Sequence, residues 1–156
     1  MTEMPRTAAI EALDASGVRY RTVGYGRVRS AEEAAEARGI ALEALAKTLV
    51  IRRDEDDYVL VLVPGDSGLD YKKLRAHLDV RRLTMPDPEE AKQATGYERG
   101  TITPLGAGGL PTIVDTRLAQ LPEISLGSGA HGWAIHLDPR DLLAAFDFVE
   151  VADIAG

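Results

Sequence analysis

The sequence predicts an α/β fold of the α+β kind: a mixed β-sheet, strongly curved or barrel-like, with flanking helices. Three observations predict it. Helix-like and strand-like stretches interleave without a regular βαβ repeat. The strand-like stretches are short and punctuated by Gly and Pro. The chain has 156 residues, 45% of them hydrophobic, which suits one domain with a substantial core. No internal repeat, low-complexity tract or long linker divides it, so residues 1–156 are read as a single domain.

Each element has a local reason. Thr7 to Ser16 reads as a helix, because Ala9, Ile10 and Leu13 share one face and Gly17 supplies a stop. Val18 to Val23 alternates through Val18, Tyr20 and Thr22, a strand pattern. Ser30-Ala31-Glu32-Glu33 is a capping-box pattern that opens an alanine-rich helix ending at Gly39. A short helix over Ala41 to Ala46 leads into a strand from Thr48 to Arg52. Tyr58 to Val63 is the next strand, stopped by Pro64-Gly65, and the acidic run Asp54-Glu55-Asp56-Asp57 is the hairpin tip between them. Asp70 caps a helix through Leu78, and Val80 to Leu83 is a strand candidate. Asp87-Pro88-Glu89-Glu90 places a cap, a first-turn proline and an N3 carboxylate in the favoured order, for a helix to Thr95 that stops at Gly96. Thr112 to Val114, Glu123 to Leu126 and Trp133 to Leu137 are strands. Asp138-Pro139-Arg140-Asp141 starts a last helix through Ala145, and Val149 to Val151 adds an edge strand.

Composition excludes several chemistries. There is no cysteine, which removes disulfides, zinc thiolate sites and a cysteine nucleophile on the enzyme. No metal site and no cofactor are expected. No apolar run approaches the roughly 20 residues needed to cross a bilayer. The N-terminal stretch lacks a secretory apolar segment, so the expected location is cytoplasmic, with no membrane partner. The formal charge of −7 argues against a broad nucleic-acid surface. Any such contact is local, and Arg19/Arg21/Arg27/Arg29, Arg52/Arg53 and Lys72/Lys73/Arg75 with Arg81/Arg82 are the basic clusters, each readable as an ordinary solvated face.

Few conventional catalytic side chains remain, so backbone chemistry comes forward. Ala94 to Gly106, ATGYERGTITPLG, packs three glycines and a proline between a helix and a strand. Gly100 to Pro104 is a stiff turn whose amides can face a developing oxyanion, or simply close a sheet. Lys47 lies at a helix-to-strand junction among apolar residues; its ammonium can enter a pocket or snorkel to solvent. Gly127-Ser128-Gly129-Ala130-His131-Gly132 is a second glycine-rich loop, either wrapping a ligand or joining a hairpin, and it lacks the Gly-Lys-Ser/Thr of a P-loop. Asp115 ends a strand and either faces a pocket or caps the next turn. His77 reads as a surface residue, and His136 faces the opposite side of its strand from Ile135 and Leu137. With His131 they make no triad or metal-ligand spacing, and Trp133 reads as core.

Together these residues resemble the YbaK family, whose domain is also inserted in bacterial prolyl-tRNA synthetase as its editing module. The resemblance runs from about Val18 to the C-terminus. It is carried by Lys47-Thr48-Leu49, Ala94-Thr95-Gly96-Tyr97, the GxxxP loop Gly100 to Pro104 with Leu105-Gly106, Leu110 to Asp115, the loop Gly127 to Gly132, and Asp141-Leu142. It implies a trans-editing aminoacyl-tRNA deacylase, and a mixed sheet or partly closed barrel. It implies that Lys47 helps bind the tRNA terminus or aminoacyl group, and that the backbone of Gly100 to Thr103 positions and polarises the ester.

On that basis Lys47, Gly100 and Thr101 are the expected catalytic groups. Tyr25, Thr95, Gly96, Ile102, Thr103, Pro104, Asp115, Gly127, Ser128 and Gly129 are the expected substrate contacts. The implied partners are the acceptor end of an aminoacyl-tRNA, tRNA(Pro) foremost, and prolyl-tRNA synthetase. Arg27 stands where several relatives have a histidine, Gly127-Ser128-Gly129 where cysteine-clearing relatives have serine then two glycines, and Ala134 where they have an acidic residue. The amino acid cleared therefore stays open among Cys, Ala, Ser and Thr, and the nucleophile is water or a group of the substrate. The competing readings are a non-catalytic module that binds an acylated tRNA end, a nucleotide or a synthetase, and a hydrolase of small esters.

Overall fold

The computed structural model describes residues 3–156, so Met1 and Thr2 of the N-terminal stretch lie outside the described residues. The chain opens with α1 (Ala8–Ser16), capped by the Thr7 hydroxyl, which accepts from the Ile10 amide. Such a cap is worth about 1 kcal/mol. Strand β1 (Tyr20–Gly24) and helix α2 (Ala31–Arg38) follow. The Ser30 hydroxyl caps α2, while the Glu33 carboxylate reaches back to the Arg29 amide. A single 3-10 turn (Leu42–Ala44) then enters the hairpin β2 (Ala46–Asp54) and β3 (Asp57–Pro64), whose tip is the acidic run.

Helices α3 (Tyr71–Leu78) and α4 (Pro88–Thr95) cross over to β4 (Thr112–Asp115). The one-turn helix α5 (Thr116–Ala119), the hairpin β5 (Ile124–Gly127) and β6 (Trp133–Leu137), helix α6 (Pro139–Ala145) and strand β7 (Val149–Ala152) complete the chain.

The strands form two sheets. One has the order β1-β6-β5 and is antiparallel throughout; the other has the order β2-β3-β4-β7, antiparallel at β2–β3 and parallel beyond. A lone parallel bridge, Leu45 to Ser125, joins them. The expected curved sheet is therefore two sheets meeting at a seam, and the barrel does not close. Gly65 packs closely against the loop Leu42 to Leu45 that leads to this bridge, where a Cβ would stand 2.6 Å from the Leu42 carbonyl oxygen.

The second sheet is buried on both faces, which explains the nearly continuous apolar run of β3. Leu60, Leu62 and Val114 point into the main core with Ile124, Leu126, Ile135 and Leu137 of the first sheet. Val59, Val61, Val63 and Ile113 point the other way, against Leu74 of α3 and Ile154 near the C-terminus. Each fully buried Leu, Ile or Val contributes about 1.5–3 kcal/mol.

Two local expectations need correction. Val80 to Leu83 forms no strand: the Val80 amide closes the end of α3 on the Arg75 carbonyl, and only Thr84 bridges to Arg52. Helix α5 was not anticipated; it is four residues long and follows directly on the Asp115 carboxylate that caps it.

Candidate functional site

Where β2 and β5 meet, the seam opens into a cavity of about 540 Å³. Lys47 and Thr48 from the start of β2, Gly100 and Ile102 from the loop after α4, and Gly127 from the end of β5 all border it. Leu45, Val50, Met85 and Ala91 give it apolar walls, and Arg38 and Arg99 bring positive charge. A second cavity, of about 530 Å³, is bordered by Tyr25, Gly26, Arg27, Val28, His131 and Gly132. Gly100 borders both.

The Gly100 to Pro104 turn is held from behind. The Thr101 amide and hydroxyl both donate to the Glu98 carbonyl, at 3.0 and 2.8 Å. The Thr101 carbonyl accepts from the Gly129 amide at 2.9 Å. Among the described residues, the amides of Gly100, Ile102 and Thr103 donate to no protein acceptor. The Thr101 amide is thus already engaged, whereas Gly100 and Ile102, which border the cavity, have amides free to meet a ligand oxygen. Ile102 lines the cavity, and Thr103 and Pro104 are buried beneath the turn.

Lys47 borders the same cavity as Gly100, and its ammonium donates to the Ser67 carbonyl. Arg117 donates to the Ser67 hydroxyl, which ties this end of β2 to the start of α5. The Thr48 hydroxyl, also at the cavity, is buried with no partner among the described residues.

Several expected substrate contacts are structural instead. Asp115 is 1% exposed. One of its oxygens accepts from the Ile154 and Ala155 amides at 3.0 and 2.9 Å, and the other from the Arg117 amide. It anchors the C-terminal segment and caps α5. Thr95 accepts from the Tyr97 amide and donates back to Ala91, and Gly96 closes α4 on Lys92. The Ser128 hydroxyl lies inside its own loop, 2.7 Å from the Trp133 carbonyl and 3.1 Å from that of Ala130. Gly129 sits at φ 85°, where a Cβ would stand 2.6 Å from the Tyr97 ring. A Cβ on Gly127 would strike the Ile102 carbonyl oxygen. The second glycine loop therefore braces the first.

Tyr25 meets Arg38, a cavity-wall residue that the sequence reading did not single out. The Arg38 guanidinium donates to the Tyr25 and Ser125 hydroxyls, each at 3.1 Å, and lies 4.7 Å from the centre of the Tyr25 ring. In sequence, a basic residue in the last turn of a helix signals only a favourable helix dipole. His136 does lie on the side of β6 away from Ile135 and Leu137, but that side is covered rather than solvated, and the ring is 1% exposed. Burial pushes its pKa below the usual histidine value, and the charge of Arg21 pushes it the same way. Tyr97, 6% exposed, has its phenol pushed up to about 12 by burial and donates to the Leu105 carbonyl at 2.6 Å. His77 reaches Glu150, and among the described residues no cluster of His, Asp and Glu is arranged to hold a metal ion.

The class defined by this geometry is an α/β domain with a backbone-walled cleft between two sheets. The aminoacyl-tRNA editing domain family matches residues 26–145, and the chain belongs to that family. It is 32% identical over 116 residues to EbsC of Enterococcus faecalis, a candidate Cys-tRNA(Pro)/Cys-tRNA(Cys) deacylase, covering 74% of this chain and 71% of EbsC. It is 28% identical over 125 residues to the proline–tRNA ligase of Thermosipho melanesiensis, covering 80% of this chain but only 22% of the ligase. The crystal structure of a candidate trans-editing enzyme for prolyl-tRNA synthetase superposes with a TM-score of 0.86 at 29% identity, covering 96% of this chain and 95% of that one. Among the described residues no helix is long and apolar enough to cross a membrane.

Proposed function

We propose that this chain is a trans-editing deacylase that hydrolyses the ester of a mischarged tRNA, tRNA(Pro) being the expected carrier. One observation carries the reading: Gly100 borders two cavities and belongs to a turn whose neighbouring amides lack protein acceptors. An ester lying across that turn has its acyl group on one side and its ribose on the other. The nucleophile is water or a group of the amino acid itself. When it attacks, the acyl carbon becomes tetrahedral and its oxygen gains negative charge. Amides of Gly100 and Ile102 stabilise that charge, and losing one such donor costs roughly 10²–10³ in rate. The bond to the ribose oxygen then breaks and that oxygen takes a proton. An aminoacyl ester is already activated, so orientation and charge stabilisation supply most of what is needed.

Lys47 adds a positive charge at the cavity wall. Its ammonium has donors left beyond the one on Ser67. Tyr25 supports the site through Arg38, and Gly127 and Gly129 support it through the turn. Residues 1–156 form one editing domain in this reading, acting in the cytoplasm on the acceptor end of the tRNA, with prolyl-tRNA synthetase as a partner.

The test is release of labelled amino acid from a panel of Cys-, Ala-, Ser- and Thr-tRNAs by the wild type and Lys47→Ala. We expect release from at least one tRNA and a loss of about 10²-fold in the variant. Equal rates would remove Lys47 from the mechanism, and no release from any tRNA would refute the activity, leaving a binding module. Because only a few cations border the cleft, log affinity against log salt should have a shallow slope, about −2. A steep slope would reveal a basic surface beyond the cleft.

A further inference from the structure

We propose that Arg38 is the phosphate-recognising residue of this cleft, receiving the phosphodiester that joins the terminal adenosine to the rest of the tRNA. The identity of the ligand rests on the deacylase reading; the anion site rests on the geometry below.

Arg38 is the last residue of α2 and is half-buried at the wall of the larger cavity, with Gly100, Ile102 and Gly127. Its recorded hydrogen bonds go only to neutral oxygens, those of Tyr25 and Ser125. Arg21, Arg52, Arg53 and Arg140, by contrast, each pair with a carboxylate at 2.7–2.9 Å. Among the described residues no carboxylate pairs with Arg38. A cation partly withdrawn from water without a counter-charge is costly unless an anion completes it.

The surroundings reinforce this. Arg21, His136 and Ser125 lie directly opposite one another across β1, β6 and β5, so they form one row on the first sheet, exposed at Arg21 and buried at His136 and Ser125. Glu123, the carboxylate nearest that row, is held by Arg21 at 2.9 Å. His136 is buried, and neither ring nitrogen has a hydrogen-bond partner among the described residues. Arg38 therefore rests on neutral groups and supplies the positive charge at this wall. Each terminal nitrogen uses one N–H on protein, which leaves the second of each for a ligand. Two parallel N–H groups on a planar fork suit a phosphate better than a neutral carbonyl. Stacking on Tyr25 and the bond to Ser125 hold the fork in place before the ligand arrives, which lowers the ordering cost of binding.

The experiment is calorimetric titration of wild type, Arg38→Gln and Arg38→Lys with 5′-AMP and with adenosine, each protein first checked by its thermal melt. Wild type should bind AMP about tenfold or more tightly than adenosine, the range for hydrogen bonds to a charged group. Arg38→Gln should bring that ratio near one with adenosine affinity retained, and Arg38→Lys should recover part of it. On mischarged tRNA, Arg38→Gln should raise KM about tenfold with a much smaller change in kcat. Equal binding of AMP and adenosine by wild type, an unchanged ratio in Arg38→Gln, or parallel loss of both ligands in a folded variant would each overturn the proposal. Should Arg38→Gln fail to fold, AMP affinity of the wild type that does not weaken with salt relative to adenosine overturns it as well. A protein that prefers AMP through Arg38 but hydrolyses no aminoacyl-tRNA would support this site and refute the deacylase reading.

Discussion

The two glycine-rich loops, Gly100 to Pro104 and Gly127 to Gly132, invite the same reading in sequence, and in the fold they do opposite work. The first leaves the amides of Gly100, which borders two cavities, and Ile102, which borders one, without protein acceptors among the described residues. The second turns its polar groups inward: the Ser128 hydroxyl serves its own loop, and the Gly129 amide holds the Thr101 carbonyl. Glycine reports that something comes close to the backbone. In the first loop Gly100 has open space there and is required instead by its φ of 87°; in the second, Gly127 meets the first loop and Gly129 meets Tyr97. The division between a loop with free amides at a cavity and a loop that braces it is what the following variants probe.

Gly127→Ala should have the largest effect. Its Cβ meets the Ile102 carbonyl, so the turn has to shift or the strand has to give. We expect destabilisation of about 1–3 kcal/mol and a loss of about 10² in kcat, because small misplacements in a site cost that much. Native activity from a protein of native stability would break the idea that the loops are in register. Tyr97 gives the next effect, through pH. Its buried phenol holds its proton up to about 12, against about 10 when unfolded. The unfolded chain therefore loses the proton first. The contribution of Tyr97 to stability should be level below pH 10 and then fall by about 2–3 kcal/mol as pH rises to 12, a decline that Tyr97→Phe should flatten in denaturant titrations. Ser128→Ala sharpens the comparison most and costs least. It should lower stability by about 1–2 kcal/mol, the cost of a lost internal hydrogen bond, while kcat per folded molecule stays within about twofold. A collapse of kcat at unchanged stability would make Ser128 a ligand contact after all.

The sequence by itself determined most of the elements and the cleft's address. Caps at Thr7, Ser30, Asp70, Asp87 and Asp138 and stops at Gly17, Gly39 and Gly96 are local, because each satisfies backbone groups within a turn of itself. Lys47, Gly100 and Gly127 were grouped by the resemblance to the editing-domain family, and in the fold they border one cavity. Tertiary structure alone decided what those residues touch. The Asp115 carboxylate found its partners at Ile154 and Ala155, far along the chain, and Thr101 lost its amide to Glu98. Arg38 became a cavity wall only because the end of α2 lies beside Ser125 of β5 and Tyr25 just after β1, whose hydroxyls receive it. Hydrogen-bond saturation and charge pairing are settled by neighbours in space. A linear pattern can name a donor, but only the packed chain determines whether that donor is already taken.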